Sequence, residues 1–216
     1  MRRDLNITLV QSDLHWHDQD VNRDMFSQKI ESLSEDTDLI ILPEMFTTGF
    51  TMEAEQYAEE MDGATLQWMK KMSHKTQAVI TGSIIIKEGG SYFNRLIWMR
   101  SDGTYDTYDK RHLFAMAGEH EHYTAGQSRL IIDIEGWRIC PLVCYDLRFP
   151  VWARNNDEYD VLIYTANWPS MRAAHWNKLL VARAIENQSY VAGVNRVGTD
   201  GKGYPYDGDS LSLIHI

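Results

Sequence analysis

Four short stretches of this chain are apolar almost without interruption: DLIILPE at 38–44, AVITGSIII at 78–86, WRICPLVC at 137–144 and DVLIYTANW at 160–168. A half-exposed strand alternates apolar and polar side chains, so runs of this kind describe strands covered on both faces. The sequence between the runs supplies the cover. Residues 21–33 place Val21, Met25, Phe26, Ile30 and Leu33 on one helical face. A second helix is expected over 64 to about 77, with Leu66, Met69 and Met72 inward, then a short one near 151–155 and a long one over 172–187. NITLVQ and YVAGVNRVG read as further strands. SDG at 101–103 and EG at 135–136 mark two hairpins, because small turns of this type need residues that accept left-handed backbone. The pattern predicts an α/β layered domain with helices on the outer faces and apolar strands inside. At 216 residues and 44% hydrophobic content the chain can bury one substantial core, and 1–216 reads as a single domain.

A formal charge of −10 leaves no electrostatic footprint for a phosphate backbone, so no nucleic-acid partner is expected. No stretch approaches the roughly 20 apolar residues that span a bilayer, and Asn6, Thr8 and Gln11 break the apolar start, so no signal peptide is read there. No membrane partner and a cytoplasmic location are the expectations. Cys140 and Cys144 are spaced C-x3-C, which fits neither a disulfide framework nor the usual zinc or thioredoxin-type spacings, so a reducing compartment is expected.

Three polar side chains stand where apolar strands end: Glu44 in ILPEMF, Lys110 in TYDKRHLF and Cys144 in PLVCYD. Taken alone, Glu44 is a strand-end carboxylate, Lys110 a solvated charge, and a free cysteine packs like a small hydrophobe. In layered α/β proteins, however, the carboxyl ends of strands are where sites gather. A thiol of ordinary pKa needs a base or a cation beside it to attack at neutral pH. A buried carboxylate can be that base, and a lysine stabilises negative charge forming on an attacked carbonyl oxygen. Together the three describe acyl transfer through a thioester. Cys140, four residues earlier, reads as core.

LPEMF, DKRHLF and VCYDLRFP, in that order, resemble the three signatures of the nitrilase superfamily of carbon–nitrogen hydrolases. The resemblance runs from NITLVQSDLHW through ARAIENQSYVAGVNRVG, and GFTMEA, YDLRFPVWARN and YTANWP are similar to its omega-amidase branch. It implies an αββα sandwich, usually homodimeric, with no metal or organic cofactor. Carried over position by position, it implies Glu44 as general base, Lys110 as oxyanion-stabilising lysine, Cys144 as nucleophile and the Tyr145 N–H as second oxyanion donor. A second glutamate of the family falls best on Glu119, with Glu121 the competing assignment. The branch implies small amide substrates, monoamides of short dicarboxylates such as 2-oxoglutaramate and 2-oxosuccinamate. Arg148 is a candidate donor to the substrate carboxylate, while Phe46, Tyr145 and Trp168 are candidates to shape a small pocket. Other enzymes of the superfamily, such as a nitrilase or an N-carbamoyl hydrolase, and a non-catalytic relative that keeps the fold are the competing readings.

His15 with His17 and His120 with His122 have H-x-H spacing, which on a strand would put both rings on one face, but no partner motif accompanies either pair and no metal site is expected. GTDGKGYPYDGDS at 198–210 reads as a surface loop, and MEAEQYAEEMDG at 52–63 as a solvated helix face or lid. After YPYDGDS the family continues into another strand and a tail, whereas this chain ends LSLIHI. The expectation is a C-terminus truncated or altered after about 210, at a cost in stability, with homodimer formation depending on the complete tail.

Overall fold

The computed structural model describes residues 2–213. In chain order its elements are β1 (Ile7–Leu9), α1 (Gln19–Glu31), β2 (Leu39–Ile41), α2 (Ala54–Tyr57), α3 (Ala64–Thr76), β3 (Val79–Glu88), β4 (Ser91–Met99) and β5 (Tyr105–Asp109). There follow α4 (Glu119–His122), β6 (Ile132–Ile134), β7 (Trp137–Val143), α5 (Pro150–Ala153), β8 (Val161–Ala166), α6 (Ala173–Asn187), β9 (Tyr190–Asn195), β10 (Val197–Thr199), β11 (Pro205–Asp207) and β12 (Leu211–Leu213). One five-stranded sheet has the order β1-β2-β3-β4-β5 and the other β12-β9-β8-β7-β6. Each contains three parallel strands, β1 to β3 in the first and β7 to β9 in the second, flanked by antiparallel ones.

The apolar runs explain the layers. Along β2, Leu39 and Ile41 enter a cluster with Ile139, Val161, Ile163 and Val194 of the opposite sheet. Ile40 and Leu42 point the other way, toward Phe26 and Ile30 of α1 and Leu66, Met69 and Met72 of α3. Period-two alternation thus buries both sides of one strand. On the far side, Cys140 and Leu142 of β7 pack with Trp176, Leu180 and Ala184 of α6. The architecture is the expected αββα sandwich, and Cys140 is a fully buried core residue.

Helix α1 begins and ends two residues earlier than the apolar spacing predicts, because Asp18 caps it by accepting from the Val21 N–H at 3.1 Å. Val21 and Leu33 are consequently exposed. Asn22 is buried in their place, its side chain bonding the His15 and Thr47 carbonyls at 2.7 and 2.8 Å. The segment 198–210 is not a simple surface loop: β10 and β11 pair within it. The HEH histidines lie on the single turn of α4, so the same-face argument for a strand does not apply, and no group of three metal-ligating side chains occurs among the described residues. In 52–63 only Ala54–Tyr57 are helical; Glu53 and Glu55 are solvated, but Glu59 turns inward, where it accepts from the Thr65 N–H at 2.7 Å and lies 3.5 Å from Arg23, so the run is not one solvated helix face. At the C-terminal end β12 pairs antiparallel with β9, and 214–216 lie outside the described residues.

Candidate active site

Glu44 follows β2, Lys110 follows β5 and Cys144 follows β7. The first two strands belong to one sheet and the third to the other, and face-to-face packing of the sheets brings the three strand ends together. Lys110 Nζ donates to Glu44 Oε1 at 2.8 Å and to both Glu119 oxygens at 3.0 and 2.9 Å. All three side chains are removed from solvent. Glu119 is therefore the glutamate that shares Lys110 with Glu44, and Glu121 is exposed. The choice is made by Gly118, whose φ of +78° starts the α4 turn so that Glu119 faces inward and its carboxylate accepts from the Phe114 N–H at 2.5 Å.

Two asparagines complete the shell, neither of them singled out by sequence. Asn94, on β4, donates to Glu44 at 2.8 Å and to Glu119 at 3.2 Å. Asn167, just after β8, donates its backbone N–H to Glu44 Oε2 at 2.9 Å and its side-chain amide to the Glu44 carbonyl. The second carboxylate oxygen and the main chain of Glu44 are thus held from the opposite sheet. A polar residue at a strand end was the available signal, and Asn167 carries it in the run DVLIYTANW.

Cys144 is 8% exposed and has φ +44°, a left-handed conformation that a residue with a Cβ occupies only under constraint. The constraint is the buried Asp146 carboxylate. It accepts from the Val143 N–H at 3.1 Å, the Tyr108 hydroxyl at 2.7 Å and the His112 N–H at 2.9 Å, and pairs with His112 Nδ1 at 2.7 Å. Residues 144–148 form a 3-10 turn behind the thiol. The opening N–H groups of such a turn have no carbonyl of the turn to bond, and Tyr145 is one of them.

Burial pushes the Cys144 thiol well above its ordinary pKa, and the nearby Glu44 carboxylate adds to the rise against the pull of Lys110. Burial also opposes charge on Lys110, but the fields of Glu119 and Glu44 outweigh it and hold the ammonium above the usual lysine value. For Glu119 burial wins over Lys110 and raises the carboxyl. The resting site therefore holds a neutral thiol beside a charged lysine. Proton transfer from sulfur has to accompany attack.

A cavity of about 320 Å³ opens above this floor, lined by Lys110, Cys144, Tyr145, Arg148, Asn167 and Trp168 among others. Tyr145, Arg148 and Trp168 thus line the cavity. Phe46 does not: it is fully buried in the core, edge-on to Phe26 at 5.5 Å and beside Trp68 at 5.7 Å, because it packs outward from β2 toward the helices. Phe50, four residues on, takes the wall position, with Phe114 beside it and Arg172 at the rim. The β10–β11 segment contributes Asp200, Lys202 and Tyr206.

The chain belongs to a family of amide-cleaving enzymes, the carbon–nitrogen hydrolases, whose family model matches residues 6–211. It is 50% identical over 209 residues to the omega-amidase YafV of Yersinia enterocolitica, covering 97% of this chain and 81% of the relative. It is 35% identical to the 2-oxoglutaramate amidase of Bacillus subtilis, over 79% of this chain and 68% of that one. Among solved structures, a CN-hydrolase superfamily protein of Xanthomonas campestris, crystallised with an arsenic adduct in its active site, superposes with a TM-score of 0.96 at 48% identity. The match covers 99% of this chain and 83% of that one.

Proposed function

We propose that this protein is an omega-amidase, hydrolysing the amide of short dicarboxylate monoamides such as 2-oxoglutaramate to the free acid and ammonia. The observation that carries the reading is the Lys110 ammonium bridging Glu44 and Glu119 on the floor where Cys144 ends its strand. Identity of 50% to an omega-amidase and 35% to a 2-oxoglutaramate amidase supports the substrate class.

In the cycle, the Cys144 sulfur attacks the amide carbon while its proton passes to Glu44. Glu44 is the carboxylate whose charge acts most strongly on the thiol, which makes it the base for this transfer. The oxyanion of the tetrahedral adduct is held by Lys110 and the Tyr145 N–H. Glu44 returns the proton to the nitrogen, the carbon–nitrogen bond breaks, and ammonia leaves behind a thioester. Water, deprotonated by Glu44, then attacks the thioester carbon, and the sulfur departs with the proton as the acid is released. Glu119 holds Lys110 in place, while Tyr145 and Trp168 shape the walls and Arg148 the rim. No step calls on a cofactor.

The family match over 6–211 supports reading 1–216 as one hydrolase domain. Two free thiols support a reducing, cytoplasmic setting, and among the described residues no helix is long and apolar enough to cross a membrane. The exposed Val181 and Ile185, one turn apart on α6, support a homodimer. The deciding experiment is ammonia release from 2-oxoglutaramate, glutamine and a simple nitrile. Turnover should be greatest on the first and absent in Cys144→Ala; turnover that survives that substitution refutes the mechanism.

A further inference from the structure

The chain carries a formal charge of −10, yet the rim of its cavity is cationic: Arg148, Arg172 and Lys202 all line it. Among the described residues none of the three lies within ion-pair distance of a carboxylate. The acid that shares the wall, Asp200, is already engaged. It accepts from the Lys202 N–H at 2.9 Å, the Tyr204 N–H at 2.9 Å and the Tyr206 hydroxyl at 2.9 Å. The 3-10 turn that bears Arg172 leads directly into α6, whose first turn contains no acidic residue to offset the positive end of the helix.

The three cations are not equivalent. Arg148 donates to His175 Nδ1 at 2.8 Å and lies over the rings of Trp168, at 5.1 Å, and Tyr145, at 5.9 Å. Its planar group is already held on two aromatic faces and a ring nitrogen. Arg172 lies over Phe114 at 5.2 Å, and among the described residues its one side-chain hydrogen bond is to the Met171 sulfur at 3.5 Å, a weak acceptor. The rest of its donor fork is uncommitted. Lys202 sits between Gly201 and Gly203 where the chain turns from β10 to β11, exposed and able to follow a ligand.

From this geometry we infer that Arg172, assisted by Lys202, is the specificity-determining group that takes the free carboxylate of the substrate, and that Arg148 is a fixed part of the rim. The inference rests on the omega-amidase reading and names the residue within that site which enforces it. A planar guanidinium pairs two N–H groups with two carboxylate oxygens, and Arg172 lines the same cavity as Cys144. A neutral amide gains nothing from this contact.

The test compares ammonia release from a C5 dicarboxylate monoamide with that from a straight-chain neutral primary amide of equal length. Wild type should prefer the anionic amide, and rising ionic strength should raise KM for that substrate alone. Arg172→Gln should lower kcat/KM on the anionic amide by roughly 10- to 100-fold, mostly through KM, and leave the neutral amide within about twofold. Arg172→Lys should recover part of the loss, and Lys202→Gln should lose less than Arg172→Gln. Retained turnover of the neutral amide reports that each variant is folded. Equal losses on both substrates, or a selective loss in Arg148→Gln in place of Arg172→Gln, would overturn the assignment. If wild type prefers the anionic amide and Arg172→Gln keeps that preference, this inference falls alone. Should wild type fail to turn over the anionic amide at all, the inference and the omega-amidase reading fall together.

Discussion

The floor and the rim of the cavity hold their charges in opposite ways. On the floor, Glu44, Glu119 and Lys110 are fully buried, and every charge is met by another or by an amide. At the rim, Arg148, Arg172 and Lys202 are partly or fully exposed and, among the described residues, meet no carboxylate. Buried charges without partners cost several kcal/mol each, so the floor has to be complete before substrate arrives. Cations in contact with water pay little to stay unpaired and keep their donors for a ligand. The floor is built for bond making and the rim for choosing what is bound.

Replacing the nucleophile should break the comparison most sharply. Cys144→Ala should lower kcat by at least about 10⁴-fold, while calorimetry still detects binding of a carboxylate-bearing amide, since the rim is untouched. Lys110→Met should cost both activity and stability. It leaves two buried carboxylates without their shared cation, and urea denaturation should report a loss of about 3–5 kcal/mol. Asp146→Asn acts one step behind the thiol. It removes the charge that holds Val143, Tyr108 and His112, and should lower kcat roughly 10- to 100-fold with KM little changed and stability down by about 1–3 kcal/mol.

A smaller effect follows from the raised thiol. Cys144 binds its proton more tightly in the folded chain than in the unfolded one, so its contribution to stability is full below the ordinary thiol value of about 8.5 and is lost as pH rises toward the folded value. Melting curves across alkaline pH should therefore decline less steeply for Cys144→Ala than for wild type. The decline should not vanish, because burial pushes Cys140 up to about 12 and gives it the same sign of contribution. Smallest of all is Arg148→Gln at the rim. It forfeits stacking on two rings, worth about 0.5–1 kcal/mol at an exposed site, and should change kcat/KM by no more than a few-fold.

The floor was more legible in the sequence than the rim. Glu44, Lys110 and Cys144 each interrupt or end an apolar run, and that contrast is visible one segment at a time. Asn94 gave no such contrast, because YFNRLIWMR places it inside a strand, where its inward orientation depends on β3 and β5 on either side. Phe46 and Phe50 are both aromatic residues near Glu44, and nothing in their spacing separates them. The path of the chain after β2 sends the first into the core and the second to the cavity wall. Lys202 and Arg172 were hidden for a related reason, since a charge in a Gly-rich loop and one before a helix look like ordinary solvated groups until their surroundings are known.

Local pattern alone determined a layered α/β domain with apolar strands inside and helices outside, while the αββα arrangement came from the family resemblance. A strand apolar on both sides must be covered on both sides, and alternation along a few residues records that need directly. It also determined which side chains stand at strand ends. Tertiary structure alone decided which of those ends meet, that Glu119 and not Glu121 shares Lys110, and that three cations of an acidic protein gather around one opening. Periodicity reports how one segment is buried, whereas the energy of a charge depends on what other segments bring within a few ångströms of it.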